Sequence, residues 1–224
     1  MSLNSEDYRG FISTPIRKTQ VVTLYMRQLQ MQNFYNSVKI PVENDPNGQP
    51  APAANTYKTA YIGLARTDPW ADSEDPDISD TFPPIPDPHM TELDQLVGLG
   101  KCTWKRYAKP YVAPTTEQKD ADGTIYYKGL YYETTTDAEY ALANDFTAVM
   151  FLMVADAHEY FATDIAIRQV GLFMDVNRNN ALLNPDDWAA MSEADRGHLI
   201  AVQNMMPITR QDTQLEKYYL LIQF

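Results

Sequence analysis

The chain has 224 residues, 44% of them hydrophobic and 12% aromatic, a composition that supports a packed core and excludes wholesale disorder. Its 18 Lys and Arg against 30 Asp and Glu give a formal charge of −12, which argues against nucleic acid as a partner because phosphate binding needs a basic footprint. One cysteine, Cys102, excludes an intrachain disulfide framework, and no apolar run reaches the roughly 18 residues of a membrane span.

Residues 1–16 read as a polar arm with an isolated Phe11-Ile12 pair, and they lack the basic-then-apolar form of a signal peptide. From Arg17 to Ser37 the pattern is helical. Val21, Leu24, Tyr25, Leu29, Gln32 and Tyr35 would form one stripe, with Gln28, Gln30 and Asn33 between them. Pro41 ends this segment, and 43–56 has turn composition throughout. The arm and helix, 1–42, are thus set apart from a core domain over 43–224.

Tyr57 to Arg66 reads as a strand. An acidic, Pro-rich loop follows over 68–88, yet it carries Trp70, Phe82 and Ile85, with Pro83 and Pro84 favouring extended backbone. A solvated linker has little use for three such apolar side chains, so these five residues are the candidate partner contact. Glu92 to Val97 suggests one helical turn. Gly100 to Ala108 reads as a strand, Cys102, Trp104 and Arg106 alternating with Thr103, Lys105 and Tyr107.

Asp122-Gly123 is a hairpin signal, and Ile125 to Glu133 a Tyr-dense strand. Thr134 to Asn144 fits helix or loop. Ala148 to Ala155 is the most apolar run and suits a strand buried on both faces. Ile165 and Ile167 have opposite parity to Val170 and Leu172, which calls for two buried faces or a bulge near Arg168-Gln169. Asn184-Pro185 begins a short capped helix through Met191. Leu199 to Val202 and Leu215 to Phe224 are the closing strands. The fold expected is mainly β, a β-sandwich-like core with an amphipathic helix near the N-terminus and long Pro-rich loops.

Catalytic chemistry finds no footing. His89, His158 and His198 have no metal-ligand spacing, Cys102 has no motif partner, and there is neither a phosphate loop nor a nucleophile elbow. The acids Asp72, Glu74, Asp75, Asp77 and Asp80 share an exposed loop, where two carboxylate pKa values cannot be driven apart. Lys101, Lys105, Arg106 and Lys109 form the basic cluster, read as a solvated strand face. A weak calcium-loop candidate comprises Asp175, Asn177, Asn179 and Asp186, at loop positions 1, 3, 5 and 12. Asn180 stands where such loops carry Gly, and a capped turn accounts for the same residues. No cofactor is expected.

Tyr61-Ile62-Gly63, Asp68-Pro69-Trp70 and the Pro-rich loop resemble the opening of phage baseplate wedge proteins, and Asn33 to Val38 is similar to the helix end before it. Arg168-Gln169-Val170-Gly171-Leu172 matches that family's "Arg-Gln-Ile-Gly" stretch. Pro207-Ile208-Thr209-Arg210, with Gln214-Leu215-Glu216, resembles its ending. These motifs run in family order from about residue 33 to 224, and Arg168, Gln169, Gly171, Pro207 and Arg210 are the structural signature. The resemblance, to the dimeric wedge protein of T-even-type contractile phages, implies a non-enzymatic, mostly β virion protein of the tail baseplate, assembled in the host cytoplasm. It implies other tail proteins as partners, a homodimer, and neither nucleic acid nor membrane. Another tail adaptor or collar protein is the alternative within this class. From another class, a calcium-dependent β-sandwich module for glycans is the rival.

Overall fold

One long strand organises the molecule. In the computed structural model, which describes residues 23–40, 58–70, 83–155, 165–209 and 216–224, strand β2 spans Leu96–Pro110. Its first half pairs with β1 (Thr59–Ala65) and β7 (Leu182–Leu183), its second half with β4 (Leu130–Thr135) and β5 (Ala148–Ala155). All pairings are antiparallel. One branch continues from β1 to β6 (Ala166–Val176) and ends on β8 (His198–Thr209). The other runs from β5 to β9 (Glu216–Gln223), while β3 (Thr124–Tyr127) extends β4. The sheet curls so that its branches face each other across the main core, where Ile62, Leu64, Val170 and Leu172 meet Cys102, Tyr107, Val149, Phe151 and Leu220.

Expectations for Val21, for residues 1–16, 43–56 and 72–80, and for Phe82, His158 and Arg210 lie outside the described residues. Elsewhere the mainly β reading holds. Ala148 to Ala155 is a strand with nearly every side chain buried. β6 is buried on both faces, the first of the two readings its parity allowed, and its register with β8 also shifts between Ile167 and Gln169, the extra residues lying on β8. Asn184 caps α4 (Pro185–Ala189), accepting from the Asp187 N–H while the Asp187 carboxylate accepts from the Asn184 N–H.

Four details differ. Glu92 to Val97 is a turn running into β2, with Gln95 at φ 49°, and not a helix. The tight hairpin turn lies at Lys128-Gly129, with φ 48° and 83°, and joins β3 to β4; Asp122-Gly123 only leads into β3. In β2 the alternation breaks where Cys102 pairs with Met153 and Trp104 with Leu152. The extra residue, Thr103, puts Cys102 and Tyr107 in the same core despite opposite parity. Finally, α1 (Leu24–Ser37) buries Gln28, Met31 and the flank of Phe34 and Tyr35, whereas Leu24, Tyr25 and Leu29 of the predicted stripe are exposed.

The face α1 uses is chosen by contacts that periodicity does not register. Gln28 Nε2 donates to the Leu142 carbonyl at 2.9 Å beside α3 (Ala138–Ala143). Tyr35 stacks on Tyr107 with centroids 4.0 Å apart, and Phe34 meets Phe151 edge-on. The Lys105 ammonium lies under the Tyr35 ring and donates to the Tyr35 and Val38 carbonyls at the helix end.

A second core lies on the outer face of β1, β2 and β6, covered by α4 with Trp188 against Phe173. Here Gly63 and Gly171 stand opposite each other across β1 and β6. A Cβ on either would come within 2.7 Å of a Leu93 methyl. The glycine pair is a socket in the sheet, and Leu93 fills it, pinning the turn that enters β2.

Gly63→Ala, whose tightest approach is to Leu93, should therefore cost roughly 1–3 kcal/mol as overpacking. In a Leu93→Ala background the penalty should be clearly smaller, read by denaturant melts as a coupling of about 0.5 kcal/mol or more. Ending the chain at Tyr219 removes buried Leu220 with Ile222 and Phe224, which pack on the main core. That loss, of order 5 kcal/mol or more, should leave little folded protein, checked by solubility and far-UV dichroism.

The pH response follows from burial. It lowers Lys105 to about 8 and raises Tyr107 and Tyr127 to about 12, with Tyr61 also raised. From pH 8 to about 10 the unfolded chain holds the Lys105 proton more tightly, a contribution that increases stability with pH. Above about 10 unfolded tyrosines ionise while these stay protonated, so the unfolded state binds fewer protons and stability falls. Melting temperature should hold or rise slightly to pH 10 and drop by pH 11.

Candidate assembly surface

Trp70, Arg168 and Gln169, three residues of the family resemblance, meet at the end of β1. Arg66 adopts φ 55° as the strand ends. Its guanidinium covers the Trp70 ring at 4.3 Å, donates to Asp94 Oδ2 at 3.2 Å and donates to the Pro69 carbonyl at 3.2 Å. Trp70 is 5% exposed, and its indole N–H donates to the Met205 carbonyl on β8 at 3.2 Å. Trp70 therefore seals the start of the Pro-rich loop onto its own chain, which corrects its place among side chains presented to a partner.

Arg168 and Gln169 hold the same junction from β6. The Arg168 N–H donates to the Arg66 carbonyl at 3.1 Å, and its guanidinium donates to the Thr67 carbonyl. Gln169 is 1% exposed; its Oε1 accepts from the Asp94 N–H at 2.9 Å and its Nε2 donates to Asn204 Oδ1 at 2.9 Å. Asn204 in turn donates to the Pro84 carbonyl at 2.8 Å. Gln95 Oε1 accepts from the N–H groups of Thr67 and Asp68, each at 3.1 Å. The loop thus leaves the body at Trp70 and rejoins it at Pro84 on neighbouring residues of β8.

Beyond that clamp the side chains turn outward. Ile85 is 94% exposed, an isoleucine held in solvent by backbone that is itself fixed at Pro84. Pro84 is exposed and Pro83 half-buried. Gly171 supplies half of the Leu93 socket. Pro207 sits exposed in β8, an outer strand of the sheet, where a residue without an N–H is tolerated.

The other candidate residues disperse. Asn177 Nδ2 donates to Asp195 Oδ1 at 2.8 Å, Asn179 Oδ1 accepts from Lys101 at 3.1 Å, Asp175 lies at the end of β6 with φ 60°, and Asp186 is in the first turn of α4. Asn177 Nδ2 and Asn179 Oδ1 bond to protein partners, while Asn177 Oδ1 is buried with no hydrogen-bond partner among the described residues. Hydrogen bonds from Ser192 and Asn177 hold the Asp195 carboxyl below its usual range. The cations of β2 are not one solvated face. Lys105 docks α1, Arg106 lies 5.1 Å over Trp104, and Lys109 donates to the Asn144 carbonyl at 2.7 Å. Cys102 is fully buried, which raises its thiol pKa and leaves it inert.

No helix among the described residues is long and apolar enough to cross a membrane. A search of curated proteins finds no match to the chain. The family model described as baseplate wedge 3 tail fiber network component matches residues 47–224, which takes in every strand among the described residues and the whole Trp70 clamp. The chain belongs to this baseplate wedge family, a structural component of the phage tail baseplate.

Proposed function

We propose that the protein is a rigid connector in the baseplate wedge of a contractile tail, joining neighbouring baseplate proteins through its Pro-rich loop and its outer strands. It acts in the virion after assembling in the host cytoplasm, and it pairs with a second copy of itself. It is not an enzyme in this reading, because its displaced titratable groups serve structure: Lys105 fastens a helix and Cys102 fills the core. The observation that carries the proposal is the exposed Ile85 beside Pro84, whose carbonyl Asn204 holds, while Trp70 and Arg168 hold the loop's other end. Fixing the loop's two ends beforehand lowers the ordering cost when a partner binds. Exposing an apolar side chain on rigid backbone suits a contact that must bear load without rearranging its own support.

Ile85→Asp should leave the melting temperature nearly unchanged, since surface substitutions usually stay within about 0.5 kcal/mol. It should reduce incorporation into wedges reconstituted from the neighbouring baseplate proteins roughly tenfold. Trp70→Ala should instead destabilise the chain by about 3–5 kcal/mol. Normal incorporation of Ile85→Asp would remove the loop from the interface. Light scattering of the free protein should give about twice 25.5 kDa, and a monomer at high concentration would count against the homodimer.

A further inference from the structure

Strand β8 is unusual for an outer strand. Its 12 residues, His198–Thr209, include no fully buried side chain, and none is Asp, Glu, Lys or Arg in a chain that is 21% charged. Ile200, Met206 and Ile208 are exposed. Edge strands present unpaired N–H and C=O groups, and proteins ordinarily guard them with charge. Here Pro207 and two irregularities of β8, at Ile200 and at 205–207, do this instead, and they leave Ala201 to Asn204 in regular register with β6.

Two hollows flank this edge. The first, about 250 Å³, lies between Leu199 to Val202 and the Pro86 to Met90 stretch. Leu199 and Val202 pack toward the outer core and Ala201 toward the main core, so the hollow that meets all of them runs along the strand's edge. Among the described residues no backbone hydrogen bond joins this stretch to β8. The loop stands beside the strand without pairing with it.

The second hollow, about 190 Å³, continues past Gln203, Met205 and Ile208 to Lys128, Lys217 and Tyr219. It lies where β8 and β9 face each other without a ladder, since β8 pairs with β6 and β9 with β5. Its lining includes two lysines and no carboxylate, and the adjoining Glu216 carboxylate already accepts from the Tyr218 hydroxyl. Lys128, half-buried, has the Tyr127 ring at 5.3 Å, and burial lowers its pKa. A locally cationic cleft in a chain of net charge −12 selects for a carboxylate from outside.

We propose that the β8 edge is a strand-addition site for an extended, apolar segment of another chain, running antiparallel to β8 and bearing a carboxylate at its N-terminal end. The antiparallel direction places that end at Gln203 to Ile208, beside Lys128 and Lys217. Main-chain bonds would give the affinity, and the uncharged edge admits alternating apolar side chains without burying a charge. The proposal deepens the reading of the chain as an assembly protein, but its test needs no assembled wedge.

The probe is a short capped synthetic peptide, Asp-Thr-Val-Thr-Val-Thr-Val-Thr, added to the isotope-labelled full chain. Binding should shift Leu199 to Gln203 resonances and slow exchange of β8 amides that do not bond to β6. Methylating alternate peptide nitrogens should weaken binding at least about tenfold. Replacing the peptide's Asp by Lys should weaken it roughly fivefold, and this difference should vanish in a Lys128→Met, Lys217→Met double variant. No shift at about 1 mM peptide, or equal binding of the methylated form, overturns the proposal. So does finding β8 already protected in the free chain and exposed on dilution, because a second copy then occupies the edge. Failure here would leave the Ile85 experiment standing, and the converse holds as well.

Discussion

Everything in this fold depends on β2 serving two layers at once. A strand of 15 residues that pairs with β1 and β7 along one half and with β4 and β5 along the other must change the direction of its side chains midway. The extra residue at Thr103 does this. Without it, Cys102 and Tyr107 would point to opposite sides, and one of them would leave the core that joins the branches. The bulge also frees alternate positions on the second half to carry cations. Lys105 faces inward toward α1, while Arg106 lies over Trp104 on the other side. The helix is therefore fastened to the strand that unites the sheet.

The same economy appears at the loop. A Pro-rich, acidic stretch has little capacity to hold itself in place, since it offers few donors and few apolar side chains. The body supplies what it lacks. Arg66, Arg168, Gln95 and Gln169 donate to, or accept from, backbone groups of Thr67, Asp68, Pro69 and Asp94, and Asn204 reaches the Pro84 carbonyl. The Gly63–Gly171 socket fixes the adjoining turn through Leu93. The residues of the family signature on β6 thus act on loop placement. That role uses the side chains of Arg168 and Gln169.

Strands whose burial dominates were legible in the sequence. Ala148 to Ala155 and Leu220 to Phe224 follow their hydrophobic pattern because both pack on the main core. The parity break near Arg168-Gln169 reflects the two buried faces of β6, and the Asn184-Pro185 cap is a local signal that local geometry honours. The face of α1 was not legible, because its docking rests on Gln28, Tyr35 and Lys105, which a hydrophobic stripe does not count. As a turn signal Lys128-Gly129 is weaker than Asp122-Gly123, since a positive φ at a lysine is set by the pairing of β3 with β4 and not by residue preference. At the candidate site the aromatic content of the loop was visible. Its division into an inward Trp70 and an outward Ile85 was not, because that depends on Met205 and Asn204, well over a hundred residues downstream.

Charge then explains where contacts can form. A surface of net charge −12 keeps copies and acidic neighbours apart at long range, within the screening length of the medium. Association is selective when it is confined to places where that repulsion is absent. The uncharged β8 and the exposed Ile85 are two such places, and Asn204 ties them together by bonding to Pro84 from the strand itself. A neighbour engaging the loop would thus pull on β8 itself. Force entering at Ile85 would pass through Asn204 and Gln169 into β6, and from there across β1 into β2, the strand that both layers share. The path runs mainly through hydrogen-bonded ladders, which resist shear collectively. The connector proposed above would transmit displacement between neighbours while its own core keeps its shape.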